Sequence, residues 1–233
     1  MLKTRCLGRS QLELQQKAEI ISETLEDLFG VPMREGAEDV LESLILTILS
    51  QNTTDVSRDK GYAVLKNRFP TWEDVLHADI KTIEAAIRIV GLGEQKSHTI
   101  KNFLTWLKAE RGELSLEYIH DMETEEALEH LCQHKGIGIK TASVTLSFAC
   151  GREVFPVDTH ILRISKRLGL VPPNCSAEKA HQLLPPIVPE GKAYPFHINL
   201  IYFGRKICNA RKPLCERYPL TQHCFYFREN LQA

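Results

Sequence analysis

The chain has 233 residues, 43% of them apolar and 25% charged, which fits a soluble globular protein of one or two domains. It holds no apolar run long enough to span a membrane. A formal net charge of −1 excludes the strongly basic class that grips polyanions by total charge alone.

That charge is unevenly spread. Seven acids and one base, Arg34, lie between Glu23 and Glu42, whereas five bases and one acid, Glu216, lie between Arg205 and Arg217. A local basic surface can therefore bind phosphates although the total is near zero. The N-terminus, MLKTRCLGRSQLELQQK, carries no signal-peptide core. With an odd count of seven cysteines, this argues against a disulfide framework and for a reduced, cytoplasmic compartment. Cys132 and Cys150 read as inert small core residues in apolar helical runs.

In chain order, Leu41, Leu44, Ile45, Ile48 and Leu49 follow helical spacing. Thr71-Trp72-Glu73-Asp74 after Pro70 reads as a capped helix start. Ile83, Ala86, Ile87 and Val90 make a second stripe, and Ile100, Phe103, Leu104 and Leu107 a third. Thr124 is expected to cap a helix carrying Ala127, Leu128 and Leu131. Further helices are predicted over 141–150, 159–169, 177–184 and 194–208. The nearest approach to a strand is REVFPV, which Pro156 demotes, and Leu184–Pro189 reads as a loop. The expectation is an all-α chain of roughly ten helices.

The segment ALEHLCQ-HKGIGI-KTASVTLSFA, residues 127–149, reads as two helices joined by a tight hairpin. Gly136 and Gly138 permit positive φ and close approach of another backbone. The second helix begins near Lys140, so its free N–H groups face the turn and can hold an anion. This is a helix–hairpin–helix, which grips a DNA phosphate through backbone amides. A plain turn using glycine for geometry is the alternative, and the hairpin alone indicates binding and not chemistry.

Lys140 stands at the start of its helix, where the dipole disfavours a cation and favours the neutral, nucleophilic amine. Asp158 follows 18 residues later in PVDTHILRISKRL. An N-cap is its plain role, and a capping carboxylate is also held rigidly, as catalysis requires. Doubling back of the chain after Gly151 would bring Asp158 to face Lys140. An amine and a carboxylate together suit cleavage of an N-glycosidic bond on an everted nucleotide, through a Schiff base.

At these residues the chain resembles the helix–hairpin–helix DNA glycosylases of the endonuclease III type. The resemblance rests on G-I-G-x-K-T-A followed by V-D-T-H, on ILSQNTTDVS (48–57), on IVGLGEQKSHTI (89–100) and on CNARKPLCERYPLTQHC (208–224). It implies two helical domains: a six-helix barrel over 40–150, and a second domain from 1–39 and 151–233, with DNA across the cleft between them. It implies that Lys140 is the Schiff-base lysine and Asp158 the catalytic aspartate. Monofunctional relatives lack a lysine here, so a bifunctional glycosylase and AP lyase follows. Oxidised pyrimidines are the expected lesions. Uracil or mismatched thymine, or non-catalytic damage binding, are the alternatives.

The same resemblance implies that Gln51 or Asn52 fills the gap left by the everted nucleotide, Asn52 being the closer match, and that Leu92 enters the stack. It assigns Lys96, Gly136, Gly138, Arg211 and Lys212 to the DNA backbone, with Lys96 alternatively a solvated loop charge; Lys135, where the sequence departs from the family, adds a further candidate phosphate contact and a second candidate amine. Tyr62, Ser143 and His160 are unranked candidates for the base pocket. The implied partner is double-stranded DNA with a damaged base or abasic site, bound by a soluble, nucleoid-associated monomer.

The sequence departs from the family in three places. The family's four iron–sulfur cysteines follow C-x6-C-x2-C-x5-C; here Cys208, Cys215 and Cys224 keep the spacing and Tyr218 stands third. A [4Fe–4S] cluster with three thiolates, a three-iron or labile cluster, and a loop held by packing alone all remain open, with some cluster favoured. Zinc through these cysteines and His223 would place two ligands on adjacent residues, a poor tetrahedral set. His134-Lys135 replaces the usual Leu-Pro, and Gly93 stands where relatives often carry an aromatic residue.

Overall fold

A computed structural model describes residues 10–34, 39–217 and 219–230, and every regular element among them is helical. In chain order the α-helices are α1 (Gln11–Phe29), α2 (Val40–Ser50), α3 (Asp55–Arg68), α4 (Trp72–His77), α5 (Ile80–Ala86), α6 (Gly93–Arg111), α7 (Thr124–Cys132), α8 (Ile139–Phe148), α9 (Thr159–Leu168), α10 (Ala177–Leu183), α11 (Ala193–Lys206) and α12 (Phe225–Asn230). None is long and apolar enough to cross a membrane. The chain forms two compact units, Glu35–Arg152 and the discontinuous pair Met1–Arg34 with Glu153–Ala233.

The continuous unit is built on α2. Asp39 caps it, its Oδ1 accepting from Glu42 N at 2.7 Å. Leu41, Leu44, Ile45, Ile48 and Leu49 are all fully buried, each contributing about 1.5–3 kcal/mol on leaving water. Thr71 caps α4 in a reciprocal box with Asp74. The stripe Ile83–Val90 is buried through α5 and a 3₁₀ turn at Arg88–Val90. The unit ends on Arg152, whose guanidinium donates to the carbonyls of Ile119, His120 and Met122 at 2.5–3.1 Å. Arg152 also donates to Thr124 Oγ1 at 3.1 Å. Thr124 is therefore the first residue of α7 and not its cap; Glu123 holds the cap position without a side-chain bond.

In the discontinuous unit, Ala18, Ile21 and Leu25 of α1 pack into one core with Phe155, Ile161, Ile164, Leu168, Phe196 and Leu200. Lys17 is buried, donates to Leu168 O and lies 4.8 Å over the Phe225 ring. Val154–Val157 is buried irregular chain, with no strand. Pro185–Ile187 closes into a 3₁₀ turn where a plain loop was expected.

Candidate active site and nucleic-acid interface

The hairpin runs from Cys132, the end of α7, to Gly138, the cap of α8. Its two glycines do different work. Gly136 has φ +92°, and a Cβ there would lie 2.3 Å from Thr99 Oγ1 on α6. Gly138 has φ −96°, within reach of any residue, and a Cβ there would meet nothing within 4 Å. The positive φ expected of both glycines occurs only at 136. Among the described residues no close contact and no backbone angle demands glycine at 138. The first intrahelical bond of α8 is Ala142 N to Gly138 O at 3.0 Å. The N–H groups of Ile139, Lys140 and Thr141 precede it and open outward, an anion cradle.

The hairpin is held from beneath. Ile137 is buried under it. Gln51, at the C-terminal end of α2, donates through Nε2 to Gly136 O and to Thr141 Oγ1, both at 3.1 Å. Both protons of that amide are thus spent on the hairpin, while Asn52 beside it is exposed. His134 packs against Trp106 at a tilt of 52° with ring centroids 4.1 Å apart and meets Phe103 edge-on at 4.9 Å. It fills an aromatic slot, and burial followed by neighbouring His130 holds its pKa below the usual value. Lys135 is exposed beside it.

Two more loops converge in kind. Among the described residues, Asn52 and Leu92 are the two non-glycine positions with positive φ, +53° and +50°. Such conformations cost roughly 1–3 kcal/mol and persist where the surroundings over-determine them. Both side chains are exposed, Leu92 by 51% although it is a leucine. Lys96 corrects the sequence reading. It is 1% exposed, with Nζ donating to Leu49 O at 2.8 Å and Val90 O at 3.0 Å. A buried ammonium bound to two carbonyls is neither a phosphate contact nor a solvated loop charge.

Lys140 is exposed on the first turn of α8, in the continuous unit. Asp158 belongs to the discontinuous unit, half-buried at the cap of α9, where Oδ1 accepts from Ile161 N at 2.7 Å. The capping role read from sequence is present. Of the unranked pocket residues, Ser143 is buried, and burial followed by Glu42 raises the Tyr62 hydroxyl strongly. His160 packs against Gly204 and lies 3.1 Å from Arg163 Nη2.

Cys208, Cys215 and Cys224 line one cavity with Phe203, Ile207 and Leu220. Arg167 of α9 reaches the first of them, donating to Cys208 Sγ at 3.2 Å, Asn209 O at 2.7 Å and Ala210 O at 2.8 Å. Burial pushes the thiols of Cys215 and Cys224 up. Three soft donors facing one apolar cavity beside a cationic guanidinium suit an iron–sulfur group. No three His, Cys, Asp or Glu side chains among the described residues are grouped closely enough to hold a single metal ion. Tyr218 lies outside the described residues. Arg211 and Lys212 are exposed on the same loop. Burial also raises the thiols of Cys132 and Cys150, the latter to about 11, which keeps both protonated and unreactive.

Comparison with known proteins follows this geometry. A family model described as HhH-GPD superfamily base excision DNA repair protein matches residues 45–190. An Arabidopsis thaliana protein named as a DNA glycosylase is 40% identical over 196 residues, 84% of this chain. The chain spans 63% of that relative's length. Endonuclease III of Sulfolobus acidocaldarius is 32% identical over 196 residues, 83% of this chain and 85% of its own length. A solved structure of a trapped covalent endonuclease III–DNA intermediate superposes with a TM-score of 0.79 at 27% identity, covering 92% of this chain and 97% of that one.

Proposed function

Because this chain belongs to the HhH-GPD superfamily of base excision DNA repair proteins, we propose that it is a bifunctional DNA glycosylase and AP lyase acting on damaged duplex DNA. The observation that carries this reading is the exposed Lys140 amine on the first turn of α8, directly after a hairpin whose outer glycine is left bare. The hairpin anchors one phosphate, and the amine is borne by the middle residue of the cradle.

The chemistry divides among this chain's residues as follows. The N–H groups of α8 and the bare Gly138 hold the backbone next to the lesion. Leu92 enters the stack and Asn52 occupies the space of the everted nucleotide. The Lys140 amine attacks C1′; the glycosidic C–N bond breaks, and the base leaves with its electron pair and takes up a proton. The Asp158 carboxylate, fixed by its cap bond, stabilises the positive charge that develops on the sugar. The attacking nitrogen, having given up a proton, expels O4′, which takes up a proton as the C1′–O4′ bond breaks and the sugar ring opens; the resulting iminium loses a proton from C2′, and the C3′–O bond breaks with the phosphate as leaving group. Oxidised pyrimidines are the proposed substrates.

Cys208, Cys215 and Cys224 would hold an iron–sulfur cluster, which supplies a structural staple to the basic loop carrying Arg211 and Lys212. Arg167 already fixes the start of that loop. Borohydride trapping tests the reading: an abasic duplex should give a covalent adduct that Lys140→Gln abolishes. An adduct that survives in that variant moves the nucleophile elsewhere, to Lys135 first. A panel of lesion duplexes then separates oxidised pyrimidines from uracil and mismatched thymine.

A further inference from the structure

An ammonium buried at 1% exposure needs a reason, because a methionine of similar length would fill the same space without desolvating a charge. The Lys96 ammonium lies where two chain segments end. One of its acceptors, Leu49 O, belongs to the last turn of α2, three residues before Asn52; the other, Val90 O, closes the 3₁₀ turn two residues before Leu92. Carbonyls at such ends lack intrahelical donors, and a cation is favoured there. The backbone of the same residue also binds the second loop, Lys96 N donating to Leu92 O at 3.0 Å. One residue thus ties down the approach to both non-glycine left-handed positions among the described residues.

We infer that Lys96 is a positioning residue that holds the Asn52 and Leu92 turns in one fixed register, so that the wedge and the gap-filling side chain enter a duplex as a single rigid pair. This rests on the function proposed above. Lys96 touches no substrate; it acts through the two loops. Its role differs from a merely structural lysine in one respect. Its loss should remove discrimination of a damaged site while leaving the phosphate cradle of α8, which Gln51 holds separately, able to bind any duplex.

The test measures binding of the wild-type chain and Lys96→Met to two duplexes, one undamaged and one carrying a tetrahydrofuran abasic analogue beside 2-aminopurine. The expected result is undamaged-duplex affinity within about twofold of wild type, a loss of roughly tenfold or more at the abasic site, and a diminished 2-aminopurine signal. Abasic-site affinity and signal kept within about twofold, or equal losses on both duplexes, would overturn the inference. Should Lys96→Met fail to fold, an Asn52→Ala, Leu92→Ala cycle in the wild-type background decides. Turns held as one unit give a double variant that loses clearly less than the product of the single losses, whereas multiplicative losses refute the register. A wild-type chain with no preference for the abasic duplex would sink the proposed function itself and not this residue's role alone.

Discussion

Substituting the two hairpin glycines should separate folding from binding. In Gly136→Ala the new Cβ is forced to φ +92° and to 2.3 Å from Thr99 Oγ1 and 2.8 Å from its Cγ2. The left-handed backbone costs about 1–2 kcal/mol for a non-glycine residue. Thr99 must also move, losing its 3.0 Å bond to Gln95 O, for about 1 kcal/mol more. The total, about 2–3 kcal/mol, should lower the melting temperature by roughly 4–12 °C in a chain of this size. Gly138→Ser meets no atom within 4 Å and places a good capping residue at the start of α8. Its stability should be unchanged or higher by a few tenths of a kcal/mol. Its side chain, however, occupies the anion cradle, so affinity for duplex DNA should fall by roughly tenfold. Melting followed by circular dichroism, with binding followed by fluorescence anisotropy, reads both. A Gly138→Ser protein that binds DNA as well as wild type would refute the assignment of the bare glycine to an external phosphate. One that melts as early as Gly136→Ala would refute the steric reasoning.

The imidazole of His134, packed against Trp106 and edge-on to Phe103 with His130 nearby, has a folded pKa below its usual 6.5, burial being the larger cause. A depressed folded value contributes stability that is present above pH 6.5 and is lost as pH falls through the folded value. The wild-type melting temperature should therefore drop more steeply from pH 7 to 5 than that of His134→Gln, and parallel curves would contradict this. In Arg167→Met the carbonyls of Asn209 and Ala210 lose their donor. Trypsin should then cut after Arg211 roughly tenfold faster in the folded protein, Lys212 being shielded by Pro213, with little change in global melting. An unchanged cleavage rate would show that the loop is held by other contacts.

The sequence was most informative where burial follows the helical period. In α2, α5 and α6 the stripes Leu41–Leu49, Ile83–Val90 and Ile100–Leu107 are the buried faces. It was least informative where a helix buries little. The α3 helix hides only Gly61 and Leu65, and α1 leaves Leu12, Ile20 and Leu28 exposed, so neither stands out by periodicity. A local signal existed for α1: Ser10 and Glu13 form a reciprocal capping box. The hairpin, Asp158 as a cap and the cysteine spacing were legible because they are local. Lys96 was misread, and the bonds of Gln51 to the hairpin were not foreseen, because their acceptors lie 47 and 85 residues away in sequence. A side chain's exposure cannot be inferred from a charge alone when distant carbonyls are aimed at it.

The discontinuous unit carries a consequence for biosynthesis. Helix α1 leaves the ribosome first, yet the acceptor of Lys17, Leu168 O, comes 151 residues later. At about 5–20 residues per second that is a wait of roughly 8–30 s. During it Ala18, Ile21 and Leu25 lack the core neighbours that lie from Phe155 onward, whereas Glu35–Arg152 is a single continuous stretch of chain. The nascent chain should therefore condense from its middle outward, with its first helix bound by a chaperone until translation supplies the rest.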